Sequence, residues 1–79
     1  MTTGATIAYT LASITPVRLT VYDVAGRHVR RLVDETMAAG DHAVQWDRRN
    51  ERGELVPPGV YSYALEAAGS KATGKVVVR

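Results

Sequence analysis

The sequence contains no cysteine, which excludes a disulfide staple, a thiolate metal site and a thiol nucleophile. Stability must therefore come from packing within the chain or against a partner. No run of about 18 apolar residues occurs, so no segment is suited to span a bilayer as a helix. Charge of one sign is not in large excess either: ten Lys and Arg stand against eight Asp and Glu, a formal +2. The opening Met1-Thr2-Thr3-Gly4 lacks the basic start and apolar stretch of a secretory leader, so there is no signal peptide within this chain. What is present is ordinary for a globular protein, with 46% hydrophobic and 23% charged residues over 79 positions. That length excludes a multidomain enzyme and predicts one domain over residues 1–79, near the small end of what buries its own core.

Apolar side chains recur at every second residue, which places them on one face of an extended strand and would scatter them around a helix. Thr6–Leu11 carries Ile7, Tyr9 and Leu11 on one face. Ser13, Thr15 and Pro16 break the pattern, and Val17–Asp23 resumes it with Val17, Leu19 and Val21 inward. Val24-Ala25-Gly26 reads as the turn of a hairpin, because Gly26 can take a positive φ without steric cost. From Arg27 to Glu35 the spacing of Val29, Leu32 and Val33 is irregular and predicts a β-bulge near Arg30 and Arg31. Thr36–Gly40 is a connection with room for a brief helical turn. His42, Val44 and Trp46 form a fourth strand, and the wholly polar Asp47–Gly53 an exposed loop. Pro57 and Pro58 confine Leu55–Gly59 to an edge or polyproline-like segment. Tyr61, Tyr63, Leu65 and Ala67 share a face of the fifth strand, and Val76 and Val78 point inward from the last. Such closely spaced strands, without a crossover helix, predict an all-β fold: a small antiparallel sandwich of six to seven strands, with residues 1–5 a flexible or partner-contacting amino-terminal segment.

Constellations for chemistry are sparse. Asp47, Asn50, Glu51 and Glu54 are oxygen donors close in sequence, but they lack the alternating spacing of a calcium loop, and Arg48, Arg49 and Arg52 repel a cation there. His28 and His42 have no marked nucleophile or second base, and Ser13, Ser62 and Ser70 lack a Gly-x-Ser-x-Gly elbow. There is no glycine-rich phosphate loop before a helix. The chain is read as no enzyme, with no cofactor, no metal and no small-molecule substrate. Arg27, Arg30 and Arg31 with Arg48, Arg49 and Arg52 could contact a polyanion if both clusters faced one way. Asp34, Glu35, Glu51 and Glu54 beside them, and the inward aromatics, argue against nucleic acid and favour solvated edge residues.

The run Val17-Arg18-Leu19-Thr20-Val21-Tyr22-Asp23-Val24-Ala25-Gly26-Arg27, followed by Val29-Arg30, Leu32-Val33, Ala39-Gly40, His42, Trp46-Asp47, Gly53 and Pro58-Gly59-Val60-Tyr61 with Tyr63 and Leu65, resembles the FlgD-type immunoglobulin-like domain. That domain occurs in flagellar hook-capping proteins, and similar modules at the carboxyl ends of large secreted bacterial proteins include type IX secretion sorting domains. The resemblance covers nearly the whole chain from Thr6. It implies an immunoglobulin- or fibronectin-III-like sandwich, a secreted or cell-surface location, and a non-catalytic structural role. Two versions follow: a carboxyl-terminal anchoring or sorting unit of a larger protein, or a stand-alone subunit assembling through strand edges. The implied partners are proteins, namely parent-chain domains, secretion machinery or copies of itself. The matched residues carry structural roles in this reading. Gly26, Gly53 and Gly59 are turn residues, Trp46 and Tyr61 core or corner residues, and Asp23 and Asp47 carboxylates that accept backbone N–H bonds. The chain departs from the pattern at Arg48, where the family often has glycine, and at the stiffer Pro57-Pro58.

Overall fold

The computed structural model describes residues 5–79, and among them are six strands and no helix. In chain order these are β1 (Ala5–Leu11), β2 (Thr15–Tyr22), β3 (His28–Met37), β4 (Gly40–Trp46), β5 (Gly59–Ala67) and β6 (Ser70–Val78). Every pairing is antiparallel. β1 and β4 make a two-stranded sheet, and β3-β2-β5-β6 a four-stranded one. The two-residue rhythm of the sequence is thus realised as the all-β antiparallel sandwich it predicts, with the immunoglobulin-like architecture that the resemblance implies. Of the expected amino-terminal segment, Ala5 opens β1 opposite Trp46, and residues 1–4 lie outside the described residues.

The core is the meeting of the two inner faces. Ile7, Tyr9 and Leu11 of β1 and Trp46 of β4 pack against Val17, Leu19 and Val21 of β2, Val29 and Val33 of β3, Tyr61 of β5, and Val76 and Val78 of β6. Burial of a Val or Leu side chain contributes roughly 1.5–3 kcal/mol, so the central strand β2, with three such residues almost fully covered, is the best-anchored element. A two-stranded sheet is too narrow to roof a four-stranded one. Along β6 the cover fails: Ala72 is exposed, Gly74 half-exposed, and the ring of Tyr63 lies against Gly74 where a Cβ would stand.

The outer face of the larger sheet is also ordered by register. Asp34, Arg18, Glu66 and Lys71 stand opposite one another across β3, β2, β5 and β6, a row of alternating sign. Arg18 Nε lies 3.9 Å from Asp34, and Arg31 Nη1 lies 3.7 Å from the same carboxylate. Next to this row Thr20 and Ala64 are paired and almost completely covered.

Three local readings change. The bulge expected at Arg30 and Arg31 is resolved into two irregularities flanking them. Leu32 is extra between the Leu19–Val33 and Thr20–Arg31 pairs, and Val29 is extra between Val21–Arg30 and Tyr22–His28. Val29 and Val33 are thereby both buried, and Leu32 packs half-buried at the margin. Thr36–Gly40 holds no helical turn: β3 continues through Met37, opposite Thr15, and only Ala38 and Ala39 connect it to β4. Pro16 lies within β2, at a position laddered to β3 alone, since pairing with β5 begins at Val17; a proline is tolerated where one side of the strand is open.

The β5–β6 hairpin turns through two residues, Ala68 and Gly69, with φ of 52° and 76°. Two left-handed residues between paired strands form the turn geometry that prefers Asn-Gly, and Ala68 occupies it against its own Cβ. Replacing Ala68 by Asn or Gly is expected to stabilise the domain by about 1 kcal/mol, raising the melting temperature by roughly 4–8 °C for a chain of this size. Thermal unfolding followed by circular dichroism measures it, and an unchanged or lower midpoint contradicts the assignment.

Candidate functional site

The residues singled out by the sequence converge at one end of the sandwich, where the β2–β3 turn meets the long β4–β5 connection. In the turn, Asp23 Oδ1 accepts the N–H groups of Ala25 and Arg27 at 3.0 and 2.9 Å. The Gly26 N–H reaches the Asp23 carbonyl at 2.9 Å, and Asp23 and Arg27 close the ladder. Gly26 sits at φ 82°, the conformation this turn requires. The β4–β5 connection contains the same device. Asn50 Oδ1 accepts from Arg52 and Glu54 at 2.9 and 3.1 Å, Gly53 N–H bonds the Asn50 carbonyl at 3.0 Å, and Asn50 N–H bonds Glu54. A short bridge between Arg49 and Leu55 continues it, so the segment read as a polar loop is a miniature hairpin. The signal was present in the sequence: an Asx residue three positions before a glycine occurs in both Asp23–Gly26 and Asn50–Gly53.

Beneath this hairpin lies Trp46, with no exposed surface. Its Nε1 donates to the Arg49 carbonyl at 2.9 Å, and its ring meets that of Tyr61 edge-on, centroids 5.4 Å apart. Tyr61 donates its hydroxyl to the Pro57 carbonyl at 2.6 Å. Burial, and secondarily the charge of Asp23, holds the Tyr61 phenol above its usual range, which keeps it a donor. Asp47 accepts from the Arg49 N–H at 3.1 Å and from Arg30 Nη1 at 3.2 Å. Gly59 is the first residue of β5, opposite Val78. Arg48 adopts φ 64°, a left-handed conformation costly for an arginine, at the place where the family often carries glycine. Removing the Tyr61 hydroxyl with Tyr61→Phe is expected to cost about 1–2 kcal/mol, since it strands a carbonyl while leaving the aromatic packing intact. Chemical denaturation measures the loss, and a variant as stable as the parent shows that the bond contributes nothing.

The arginines do not gather into an open cationic strip. Arg27 Nε bonds Asp23 at 3.0 Å, Arg30 bonds Asp47, Arg31 faces Asp34, and Arg49 Nη1 donates to the Gly53 carbonyl at 2.6 Å. Arg52 is exposed beside them. The oxygen donors are likewise engaged. Glu51 Oε2 accepts from His28 Nε2 at 3.0 Å and from the Arg31 N–H at 3.1 Å, and Asn50 and Asp47 are held in their turns. Among the described residues no group of three or more His, Asp or Glu is placed to hold a metal ion. His42 donates to the Ala38 carbonyl at 2.7 Å and stacks on Tyr9. A depression of about 460 Å³ lined by Asp23, His28, Asn50, Pro57 and Tyr61 marks this end. A second, of about 550 Å³ at the opposite end, is lined by Arg18, Asp34, Glu35, Ser70 and Lys71 among others.

The carboxylates of this end carry a pH dependence. Asp23 is held below the usual range chiefly by the Arg27 N–H, against a smaller desolvation effect. Glu51 is held below it first by the His28 hydrogen bond and then by the Arg31 N–H. A folded-state value below the unfolded one gives stability that is full above the ordinary carboxylate range, about pH 4, and is lost as pH falls through the depressed values. Thermal midpoints measured from neutral pH downward are therefore expected to fall below about pH 4, and to fall less steeply in Glu51→Gln. Parallel curves for the two proteins contradict this account.

Comparison with known proteins gives the fold its relatives. The solved structure of FlgD from P. aeruginosa superposes with a TM-score of 0.72 at 25% identity, covering 92% of this chain and 58% of that one. The chain thus spans little more than half the length of that protein. No curated protein matches it. Among protein families, residues 2–71 match the FlgD Ig-like domain, and with that match extending over most of its length the chain belongs to the FlgD Ig-like domain family.

Proposed function

We propose that this domain is a carboxyl-terminal anchoring or sorting module of a larger secreted or cell-surface bacterial protein. The family is structural and non-enzymatic, and its coarse role is that of an assembly module working through protein contacts. The observation that supports the finer reading is modular: this sandwich superposes on 58% of the matched FlgD chain, one part of a longer protein. A rigid body with a clamped loop end suits a part recognised by other proteins. In this reading Asp23, Gly26, Trp46, Asp47, Gly53, Gly59 and Tyr61 are structural residues that hold the clamp, and the solvated arginines keep the surface soluble. Among the described residues no helix is long and apolar enough to cross a membrane.

The test is a fusion. An exported reporter carrying residues 1–79 at its carboxyl end is expected to be retained at the surface of a bacterium that has the cognate export machinery, and to be released to the medium when the domain is deleted. Fractionation followed by immunoblotting measures the distribution. Equal distribution with and without the domain overturns the proposal.

A further inference from the structure

The four outer strand edges of this sandwich are not alike. An exposed edge offers unpaired N–H and C=O groups to any extended chain, and folded proteins blunt such edges with charge, bulges, proline or a covering loop. The β3 edge has all but one of these: two irregularities, Arg30, Arg31, Asp34 and Glu35, and the Glu51 carboxylate capping the Arg31 N–H. The β6 edge carries Lys71 and Lys75 and ends its apolar face at Gly74. β4 opens on Gly40 and Asp41, with His42 tied to the Ala38 carbonyl. β1 has no such protection. Ala5-Thr6-Ile7-Ala8-Tyr9-Thr10-Leu11 contains no charge, no proline, no glycine and no register shift. Among the described residues its backbone is bonded only to β4, so the groups pointing the other way are unpaired.

The same seven residues are self-complementary. Laid antiparallel to a copy of itself about a two-fold axis at Ala8, β1 pairs Ala5 with Leu11, Thr6 with Thr10, Ile7 with Tyr9, and Ala8 with Ala8. Each pair joins residues of one face: Ile7, Tyr9 and Leu11 are the buried positions, and Thr6, Ala8 and Thr10 the exposed ones. Thr–Thr and aromatic–β-branched pairs are among the favourable cross-strand combinations, and no charge opposes a like charge. A charged partner strand would lose this neutral match. We infer that the occupant of the β1 edge is the β1 edge of a second copy, giving a continuous β4-β1-β1-β4 sheet across the dimer axis. The contact is isologous, so it uses up the open edge and stops at two copies instead of growing into a filament. This pairing does not depend on the anchoring role: a domain can be sorted as a monomer or as a dimer, and the two tests read different quantities.

Light scattering on the purified 79-residue chain is expected to give twice the 8.5 kDa of one copy at high concentration, approaching about 1 mM. Ala8→Lys places two ammonium groups at the axis, and is expected to yield the single-copy mass with an unchanged far-ultraviolet spectrum. Because the chain has no cysteine, Ala8→Cys supplies one thiol per copy, and mild oxidation is expected to link two copies through it. Ala43→Cys, on the same outer face but one strand further from the axis, would sit about 14 Å from its counterpart and is expected to give no link. A parent protein that remains a single copy at about 1 mM overturns the inference. So does an Ala8→Lys variant that stays double, or cross-linking of Ala43→Cys, or of Thr73→Cys on β6, as efficient as that of Ala8→Cys.

Discussion

One indole organises the loop end of this domain. Trp46 is the last residue of the narrow sheet and lies wholly inside, so its N–H must find an acceptor there or forfeit a hydrogen bond in a dry environment. It takes the carbonyl of Arg49, three residues on, and that single contact obliges the chain to fold back over the ring immediately after β4. Everything downstream is positioned by this reversal: the miniature hairpin built on Asn50, the extended prolines, and Tyr61, which closes the corner by reaching Pro57. The two aromatic rings meet edge to face, so the corner of one sheet and the terminus of the other are packed as one unit.

Around that unit, polar chemistry is spent on holding backbone. Asp23 and Asn50 perform the same task at two turns, and Glu51 spans from the second turn to the edge of β3. The carboxylates that might have formed a cation site are divided among N–H groups and arginines, and the arginines that might have formed an anion site are divided among carboxylates and carbonyls. An end of a protein in which nearly every charged group answers a local neighbour is suited to rigidity, and poorly suited to chemistry that requires an unsatisfied group to meet a substrate.

Much of the fold was legible because β-strand period is a direct consequence of backbone geometry. Ile7, Tyr9 and Leu11, or Val17, Leu19 and Val21, can share a face in only one way. The glycine at 26 announced its turn by the acid three positions earlier. What the sequence left obscure depended on contacts between distant segments. The irregularity in β3 is visible as a broken rhythm, but its division into two steps is set by which residues of β2 stand opposite. Pro16 reads as a breaker because its tolerance rests on β5 beginning one residue later. Thr20 and Ala64 alternate with the inward residues of their strands, yet both are almost completely covered, which a period of two does not foretell. The Asn50 turn was missed for a different reason, since a charged stretch reads as solvent-exposed coil unless its Asx–Gly spacing is weighed against its composition.

The pairing of β1 with β4 has a kinetic side. Its partners are separated in sequence by the entire β2–β3 hairpin, so closing that ladder requires a large loop to be ordered first, whereas β2 with β3 and β5 with β6 join through short turns. On a chain made from its amino end, β1 emerges first and must wait for the residue range 40–46 before it has a mate. During that interval a neutral, strand-forming heptad stands bare, and the speed with which β2 and β3 zip together and deliver β4 decides how long nascent chains remain vulnerable to coalescing with one another.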